Sequence, residues 1–110
     1  MGKFVKGDIV VVPFPFSDLS ATKRRPALVL VDLKGDDLIL CQITSQNTRD
    51  DMAVPLVLTD VDNCTLNTAG NIRPNKLFTA DENIVLYSVG RLKAGKLADV
   101  TAKVVGMFQK

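Results

Sequence analysis

The segment Lys23–Asp32, with the sequence KRRPALVLVD, joins three adjacent cations through a proline to a continuous apolar run. Pro26 fixes its own φ and disfavours helical dihedrals at Arg25, so the chain is extended where it leaves the three cations. The apolar, β-branched run that follows is typical of a buried strand. We therefore expect Pro26–Asp32 to be a strand, with Arg25 at the point where a polar loop becomes a rigid element.

Short apolar runs on both sides of this segment predict further strands. Ile9–Val12 is a β-branched run that is too short for a helix. Pro13 and Pro15 follow it, and since each proline removes a ladder donor, we expect the first strand to end there. Leu38–Ile43 predicts a third strand, because Lys34–Asp37 before it has the composition of a hairpin turn.

The second half of the chain adds extended segments and ends in a helix. Val54–Leu58, where Pro55 indicates an edge position, Asn71–Thr79 and Ile84–Leu92 are predicted strands separated by turn-rich sequence. Apolar residues then recur every three or four positions, which predicts one helix whose apolar stripe is Leu97, Val100, Val104, Met107 and Phe108. Strands joined by turns favour a mainly β fold in one domain over residues 1–110: a strongly bent antiparallel sheet or small barrel, partly covered by this helix.

The composition is that of an ordinary globular protein and narrows the possible chemistry. Of the residues, 46% are hydrophobic and 24% charged, and the net charge of +2 does not by itself predict a polyanionic partner. There is no histidine, and Cys41 and Cys64 form no paired motif, so a zinc site and histidine-based catalysis are excluded. Cys41 falls inside an apolar run and is a predicted core residue. No stretch has the length of a membrane span, so we expect a cytoplasmic protein without membrane contact.

Polar and aromatic residues at the predicted strand ends each allow two interpretations. The cations Lys23–Arg25 form either a solvated cluster or a phosphate-binding surface, because the planar guanidinium of arginine suits two-point contact with phosphate. The polar run Thr44–Thr48 either presents hydroxyls and amides at the rim of the sheet or bonds to local backbone in a turn. Phe14 and Phe16 either plug one end of a barrel or offer a surface on which nucleobases stack.

Taken together, these motifs resemble the MazF/PemK family, the toxins of type II toxin–antitoxin systems. In the family's order, the motifs are Gly7–Val10, Arg25–Val29, Ile43–Gln46, Asn75–Phe78 and Val89–Leu92, followed by the C-terminal helix. Each motif is short, but together they cover nearly the whole chain. The resemblance implies an SH3-like barrel with a terminal helix, assembled as a homodimer whose cleft binds single-stranded RNA.

The resemblance also implies an activity, which is sequence-specific cleavage of mRNA without a metal or other cofactor, neutralised by a cognate antitoxin protein. The family's arginine before proline matches Arg25, and its threonine after the third strand matches Thr44. In metal-free cleavage the 2′-hydroxyl of the RNA attacks the adjacent phosphorus, which leaves a cyclic phosphate and a 5′-hydroxyl. The protein then supplies positioning and charge stabilisation. Arg25 would neutralise the phosphorane, and Thr44 would orient the scissile phosphate.

Further RNA contacts are expected around this pair, at Lys23, Arg24, Ser45, Gln46, Phe16 and Asp18. Arg73 and Lys76 are assigned either to the cleft or to a subunit interface. The first loop departs from the family pattern, since many members carry a glutamate there that this chain lacks. Asp18 is the only acidic residue of the loop and is either the proton acceptor or a turn cap.

Two other functions are compatible with this fold, because a fold does not dictate a function. The first is a non-catalytic barrel that binds RNA or a protein. The second is a toxin of the same architecture that poisons DNA gyrase, an activity that does not require Arg25 paired with Thr44.

Overall fold

Strand β2 lies at the centre of one seven-stranded antiparallel sheet in the computed structural model. The structure describes residues 3–15, 22–45 and 50–110, without the side chains of Phe14, Pro15 and Thr22. The strands are β1 (Asp8–Pro15), β2 (Thr22–Asp32), β3 (Asp37–Thr44), β4 (Val54–Leu56), β5 (Val61–Asp62), β6 (Gly70–Asp81) and β7 (Tyr87–Leu92). The helix α1 is Ala94–Phe108. The strand order is β4-β6-β3-β2-β1-β7-β5, and the sheet curls into a half-barrel, which confirms the predicted fold class.

The two faces of β2 are both buried, which explains why its sequence is continuously apolar rather than alternating. Leu28 and Leu30 belong to one core cluster, whereas Ala27 and Val29 belong to another on the opposite face. On its two sides β2 pairs with β1 and with β3. The central strand therefore determines which residues of its neighbours face each cluster.

The first strand is longer than predicted, and the two prolines do not end it. β1 continues to Pro15 and pairs with β2 along this whole extension, so that Pro13 lies opposite Arg24. The pairing of β1 with β7 ends at Val11, before either proline. The missing N–H groups of Pro13 and Pro15 therefore interrupt no hydrogen bond between β1 and β7. The second strand accordingly begins at Thr22 rather than Pro26. Arg25 therefore lies inside a strand, and its prediction as a loop–strand junction was wrong.

The core consists of two clusters on opposite faces of the sheet. The first contains Ile9, Val11, Leu28, Leu30, Cys41, Ile43, Val54, Leu56, Val61, Ile72, Val89, Leu92 and Val100. The second contains Val10, Val12, Ala27, Val29, Leu38, Leu40 and Ala80, with Phe4, Phe78 and Val85 packed against it. Alternation of side chains along β1, β2 and β3 produces this division.

Helix α1 packs on the first core cluster through Val100, with Leu97 and Val104 partly buried beside it. Phe108 belongs to the predicted apolar stripe but is 73% exposed. It lies only about 20° around the helix from Leu97, so its exposure reflects its place as the last residue of α1, about two turns beyond Val100. The predicted edge position of β4 is confirmed, since β4 ends the sheet and carries Pro55.

An ion pair and a backbone bond tie the start of the chain to the sheet. The buried Asp8 accepts hydrogen bonds from the backbone N–H of Val5 at 2.9 Å and from Nε of Arg91 at 3.1 Å. The carboxylate of Glu82 accepts the backbone N–H of Lys3 at 3.0 Å. These bonds satisfy carboxylates that would be costly to bury alone.

A close contact between β6 and the end of β3 requires glycine at position 70. Gly70 opens β6 beside Thr44, the last residue of β3. A Cβ atom built on Gly70 would overlap the carbonyl oxygen of Thr44. The position of Thr44 therefore depends on the absence of a side chain on the neighbouring strand.

Gly70→Ala should lower the free energy of unfolding by about 1–3 kcal/mol, because the backbone of β3 must shift to admit the methyl group. Gly106→Ala is the matched control, since a Cβ there meets no atom within 4 Å. It should raise stability by up to about 1 kcal/mol, because alanine is the better helix former. Urea unfolding followed by circular dichroism measures both. Equal effects of the two substitutions would contradict the close contact.

The two cysteines differ in their surroundings. Cys41 is fully buried in the first core cluster, as predicted. Its burial raises the pKa of the thiol to about 12, although a backbone hydrogen bond with Leu28 acts in the opposite direction. Cys64 is half-buried, and its Sγ lies 4.0 Å from the carbonyl oxygen of Leu66. Cys41 is therefore a protonated core residue at neutral pH.

In the native protein at mildly alkaline pH, iodoacetamide should alkylate Cys64 and leave Cys41 unmodified, because the thiolate is the reactive form. Both cysteines should react after unfolding in urea. Mass spectrometry of tryptic peptides distinguishes the two sites, and Cys64→Ser should leave the native protein unlabelled. Alkylation of both native cysteines at the same rate would contradict the burial of Cys41.

Candidate functional site

A row of polar side chains crosses the ends of three neighbouring strands. In the described ranges, the β2–β3 ladder ends where Ala27 pairs with Gln42. Alternation places Arg25 and Thr44, two residues further along each strand, on the same face of the sheet. Thr44 in turn pairs with Asn71 of β6. Arg25, Thr44 and Asn71 thus share one face, although they come from distant parts of the chain.

A second row lies one step behind the first, where Gln42 pairs with Arg73 of β6. Lys23 is also on β2, two residues before Arg25 and on the side away from the Gln42–Arg73 row. It is exposed. We call this surface the polar face, and it consists of Lys23, Arg25, Gln42, Thr44, Asn71 and Arg73. The polar face lies on the same face of the sheet as the second core cluster. On β2, Arg25 is followed on that face by Ala27 and Val29 of the cluster.

The two predicted catalytic residues, Arg25 and Thr44, are brought together on this face and are both mounted on strands. Thr44 is buried, with 8% of its surface exposed, and Arg25 is half-buried. Arg25 lies opposite Val12 in the β1–β2 ladder. Strand backbones on both sides of the pair limit the directions in which the two side chains can point.

Arg73 is held in an ion pair with Asp50, which belongs to the segment leading into β4. Nη2 of Arg73 lies 3.3 Å from Oδ2 of Asp50, and the two side chains are 23% and 12% exposed. Oδ1 of Asp50 accepts the backbone N–H of Met52 at 2.9 Å. That bond, with side-chain bonds to Arg73 and Asn75, holds the pKa of the Asp50 carboxyl below its ordinary value. Asp50 therefore stays ionised and is a weak proton acceptor.

The pairing of Arg73 with Gln42 depends on a large bulge in β6. Cys41 pairs with Leu77, but the next residue of β3, Gln42, pairs with Arg73, so three residues of β6 are passed over. Pro74 lies in this bulge and is buried, in keeping with its lack of a ladder donor. The sequence predicted an extended segment here, and Arg73-Pro74 is the one signal that could have indicated the bulge.

The predicted RNA contacts divide between the two faces of the sheet. Lys23 is on the polar face, whereas Arg24 and Ser45 line a pocket of about 220 Å³ that borders the first core cluster. The remaining lining residues of this pocket are Arg25, Pro26, Ile43, Leu56, Leu66, Asn67, Thr68, Ala69 and Gly70. Arg25 thus borders the pocket as well as the polar face.

Three of the predicted site residues, Phe16, Asp18 and Gln46, lie outside the described residues. The sequence analysis did not assign Gln42 and Asn71 of the polar face to the site, nor Asp50, which forms an ion pair with Arg73. Nothing in their local sequence distinguishes them, because register across strands brings them to the site. Lys76, predicted for the cleft or an interface, is exposed in the bulge of β6.

Two further properties concern the parts of the chain that the structure describes. No group of three or more cysteine, aspartate and glutamate side chains there is arranged to hold a metal ion. None of the helices in those ranges has the length and apolar character needed to cross a membrane.

Known structures share this fold at low sequence identity. A MazE–MazF crystal structure (Form-III) from Deinococcus radiodurans has a chain with 21% identity, 96% coverage of both chains and a TM-score of 0.75. The Mycobacterium tuberculosis toxin MazF-mt6 has 18% identity, coverage of 93% of this chain and 96% of that chain, and a TM-score of 0.71. An endoribonuclease from Mycobacterial species has 12% identity, coverage of 99% and 94%, and a TM-score of 0.73.

Sequence comparison identifies the family. No curated protein sequence gives a match. The model of the family described as "PemK-like, MazF-like toxin of type II toxin-antitoxin system" matches residues 5–108. Because this match covers nearly the whole sequence and the fold agrees with it, the chain belongs to the PemK-like, MazF-like toxins of type II toxin–antitoxin systems.

Proposed function

We propose that this toxin is a sequence-specific endoribonuclease that cleaves single-stranded mRNA without a metal ion. The observation that carries the proposal is the shared position of Arg25 and Thr44 on the polar face. These are the residues that match the family's arginine and threonine, and each lies two residues beyond the Ala27–Gln42 pair at the end of the described β2–β3 ladder. The products would be a 2′,3′-cyclic phosphate and a 5′-hydroxyl.

The reaction needs no nucleophile from the protein. The bond from the 2′-oxygen to phosphorus forms while the bond from phosphorus to the 5′-oxygen breaks. The guanidinium of Arg25 stabilises the additional negative charge on the phosphorane, and the hydroxyl of Thr44 donates a hydrogen bond to a non-bridging oxygen. Because both groups are mounted on strands, little reorganisation is needed in the transition state.

Proton transfer completes the reaction. The proton of the 2′-hydroxyl passes to an acceptor, and the leaving 5′-oxygen takes a proton from water. Arg25 cannot be the acceptor, since the guanidinium stays protonated. Asp50 is also unsuited, because its pKa is lowered and its carboxylate is paired with Arg73. Asp18, the only acidic residue of the first loop, is the remaining candidate acceptor in the sequence, and its alternative role is a turn cap.

We further propose that the toxin acts as a homodimer in the cytoplasm and is neutralised by a cognate antitoxin. Residues 84–87 carry exposed apolar side chains, among them Ile84, Leu86 and Tyr87, each of them 45–47% exposed. Such surfaces are common where proteins associate. An antitoxin with an acidic segment would suit the cations of the polar face, by folding onto them as it binds.

The test uses purified protein, a long single-stranded RNA and excess EDTA. The wild-type protein should cut at discrete sites, and Arg25→Ala and Thr44→Ala should each lower the rate by about 10²–10³. Sequencing of the product ends gives the recognition motif, and a cyclic-phosphate assay identifies the chemistry. Lys34→Ala and Thr79→Ala are the controls, because both residues are exposed and lie outside the polar face. Both controls should cut at the wild-type rate.

Two results would overturn the nuclease proposal. One is a folded wild-type protein that cuts no RNA, which would favour the binding-module function. The other is equal cutting by the wild-type and Arg25→Ala proteins, which would indicate a contaminating nuclease or a wrongly assigned site. Inhibition of gyrase supercoiling by both proteins would then favour the gyrase-poisoning function.

A further inference from the structure

Strand β4 ends the sheet, so one of its two sides has no neighbouring strand among the described residues. The carbonyl of Pro55, in the middle of β4, bonds to a side chain of α1 and therefore lies on this free side. Because backbone groups alternate between the two sides of a strand, those of Ala53 and Val57 are directed to the free side as well. An edge of this kind is a template on which another chain can add a strand.

The free side of β4 offers no available donor at these three positions. Pro55 has no N–H group. The N–H of Ala53 donates to the carbonyl oxygen of Asp50 at 3.1 Å, and the N–H of Val57 donates to Oδ2 of Asp60 at 3.0 Å. A strand that approached this edge would therefore find each donor either absent or already bonded.

The acceptors on the free side are also occupied. Nζ of Lys96, in the first turns of α1, donates to the carbonyl oxygen of Pro55 at 3.2 Å. The backbone N–H of Asp60 donates to the carbonyl oxygen of Val57 at 3.0 Å. Lys96 and Asp60 also form an ion pair, with 3.7 Å between Nζ and Oδ2. One ion pair thus covers a backbone acceptor with its cation and a backbone donor with its anion.

The covered groups are the ones that two copies of β4 would use to pair with each other. In an antiparallel pair related by a two-fold axis at Leu56, Val57 of each copy lies opposite Pro55 of the other copy. The N–H of each Val57 would then donate to the carbonyl of the facing Pro55. Asp60 covers this donor and Lys96 covers this acceptor.

Stabilisation of the monomer does not account for this arrangement. The two side chains are 25% and 22% exposed, and ion pairs near the surface contribute little to the free energy of unfolding. The edge of the extended part of β1 is protected without charges. Leu86 donates to the carbonyl of Val11 on that side, and the next residues directed to it, Pro13 and Pro15, have no N–H.

We infer that the Asp60–Lys96 ion pair closes the β4 edge against strand addition by a second copy of this chain. The inference does not depend on RNA cleavage. In the proposed homodimer, a second two-fold contact through β4 would link dimers into open chains. The closed edge therefore limits assembly to the dimer.

The test variant is Asp60→Ala/Lys96→Met, which exposes the N–H of Val57 and the carbonyl of Pro55. Sedimentation velocity should show species larger than those of the wild-type protein. The association constant of this additional step should rise by about 10–100-fold, as expected for two new backbone hydrogen bonds.

Cross-linking locates the new contact. With Cys64→Ser in the background, a short bismaleimide should join two copies of the test variant through Val57→Cys. It should not join them through Thr79→Cys, because Thr79 is exposed on β6, away from the β4 edge. Association without a cross-link at position 57 would overturn the inference.

Asp99→Ala/Lys103→Met is the matched control, because it removes the same two charges. Lys103 also donates to a backbone carbonyl, that of Asp51 at 3.4 Å, but Asp51 precedes β4. This variant should sediment as the wild-type protein does. Equal association of the control and the test variant would show that lost charge, rather than an opened edge, is the cause.

The reversed pair Asp60→Lys/Lys96→Asp separates edge closure from a simple tether for the helix. It keeps two opposite charges but places a cation at the N–H of Val57 and an anion at the carbonyl of Pro55, so neither group is covered. The reversed variant should associate as the test variant does. Wild-type sedimentation of the reversed variant would mean that any ion pair suffices, and the inference would fail.

Hydrogen exchange tests the closed edge in the wild-type protein itself, and so applies even if the test variant does not fold by circular dichroism. The amide of Val57 should be protected from exchange, and Asp60→Ala should remove this protection. Free exchange of the Val57 amide in the wild-type protein would overturn the inference. A folded Asp60→Ala/Lys96→Met variant that sediments as the wild-type protein does would also overturn it.

Discussion

Burial of β2 on both of its faces sets the direction of every side chain along this strand. Ala27 and Val29 must face one core cluster, and Leu28 and Leu30 must face the other. Since side chains alternate along a strand, this also determines the directions of the cations that precede the apolar run. A slip of one residue would exchange the directions of Arg24 and Arg25 and turn each set of apolar side chains toward the core cluster that the other set fills. Packing energy in the core thus orients a charged residue at the surface.

The polar face is a product of register rather than of any one segment. Its residues come from β2, β3 and β6, and each is placed by the pairing of its strand with the next. Two residues outside the polar face support it. Gly70 has no side chain, so the backbone of Thr44 can lie close to it, and the carboxylate of Asp50 forms an ion pair with Arg73. The chemistry proposed for this face, charge stabilisation by preorganised donors, requires this kind of support.

Much of the fold could be predicted from the sequence, because it rests on local signals. The apolar run of β2, the edge position of Pro55 and the helical spacing of Leu97, Val100 and Val104 all reflect local periodicity or proline chemistry. The extension of β1 through its prolines was missed, because whether a missing N–H matters depends on which strands pair there. The exposure of Phe108 likewise depends on where the helix meets the core.

The candidate site was only partly predictable. Arg25 and Thr44 were assigned to it from a family pattern, and strand alternation puts both on one face of the sheet. Asp50 and Asn71 were missed, and Arg24 was grouped with Arg25 although their side chains leave opposite faces. These relations follow from the three-residue bulge between the Cys41 and Gln42 pairings and from strand alternation across the sheet. Neither is visible as a spacing within a single segment.

The extension of β1 and β2 has a mechanical consequence. In the described residues, the β1–β7 ladder ends at Val11 and the β2–β3 ladder at Ala27, whereas β1 and β2 continue together to Pro15 and Thr22. The outer part of this hairpin is a two-stranded ribbon, and such ribbons twist and bend more readily than a broad sheet. Arg25 lies on the ribbon, while Thr44 remains in the broad sheet, paired with Asn71. Within the described residues, the site thus lies at the seam between a two-stranded and a three-stranded part of the sheet, and the β2–β3 ladder that ends at Ala27 holds the two parts together.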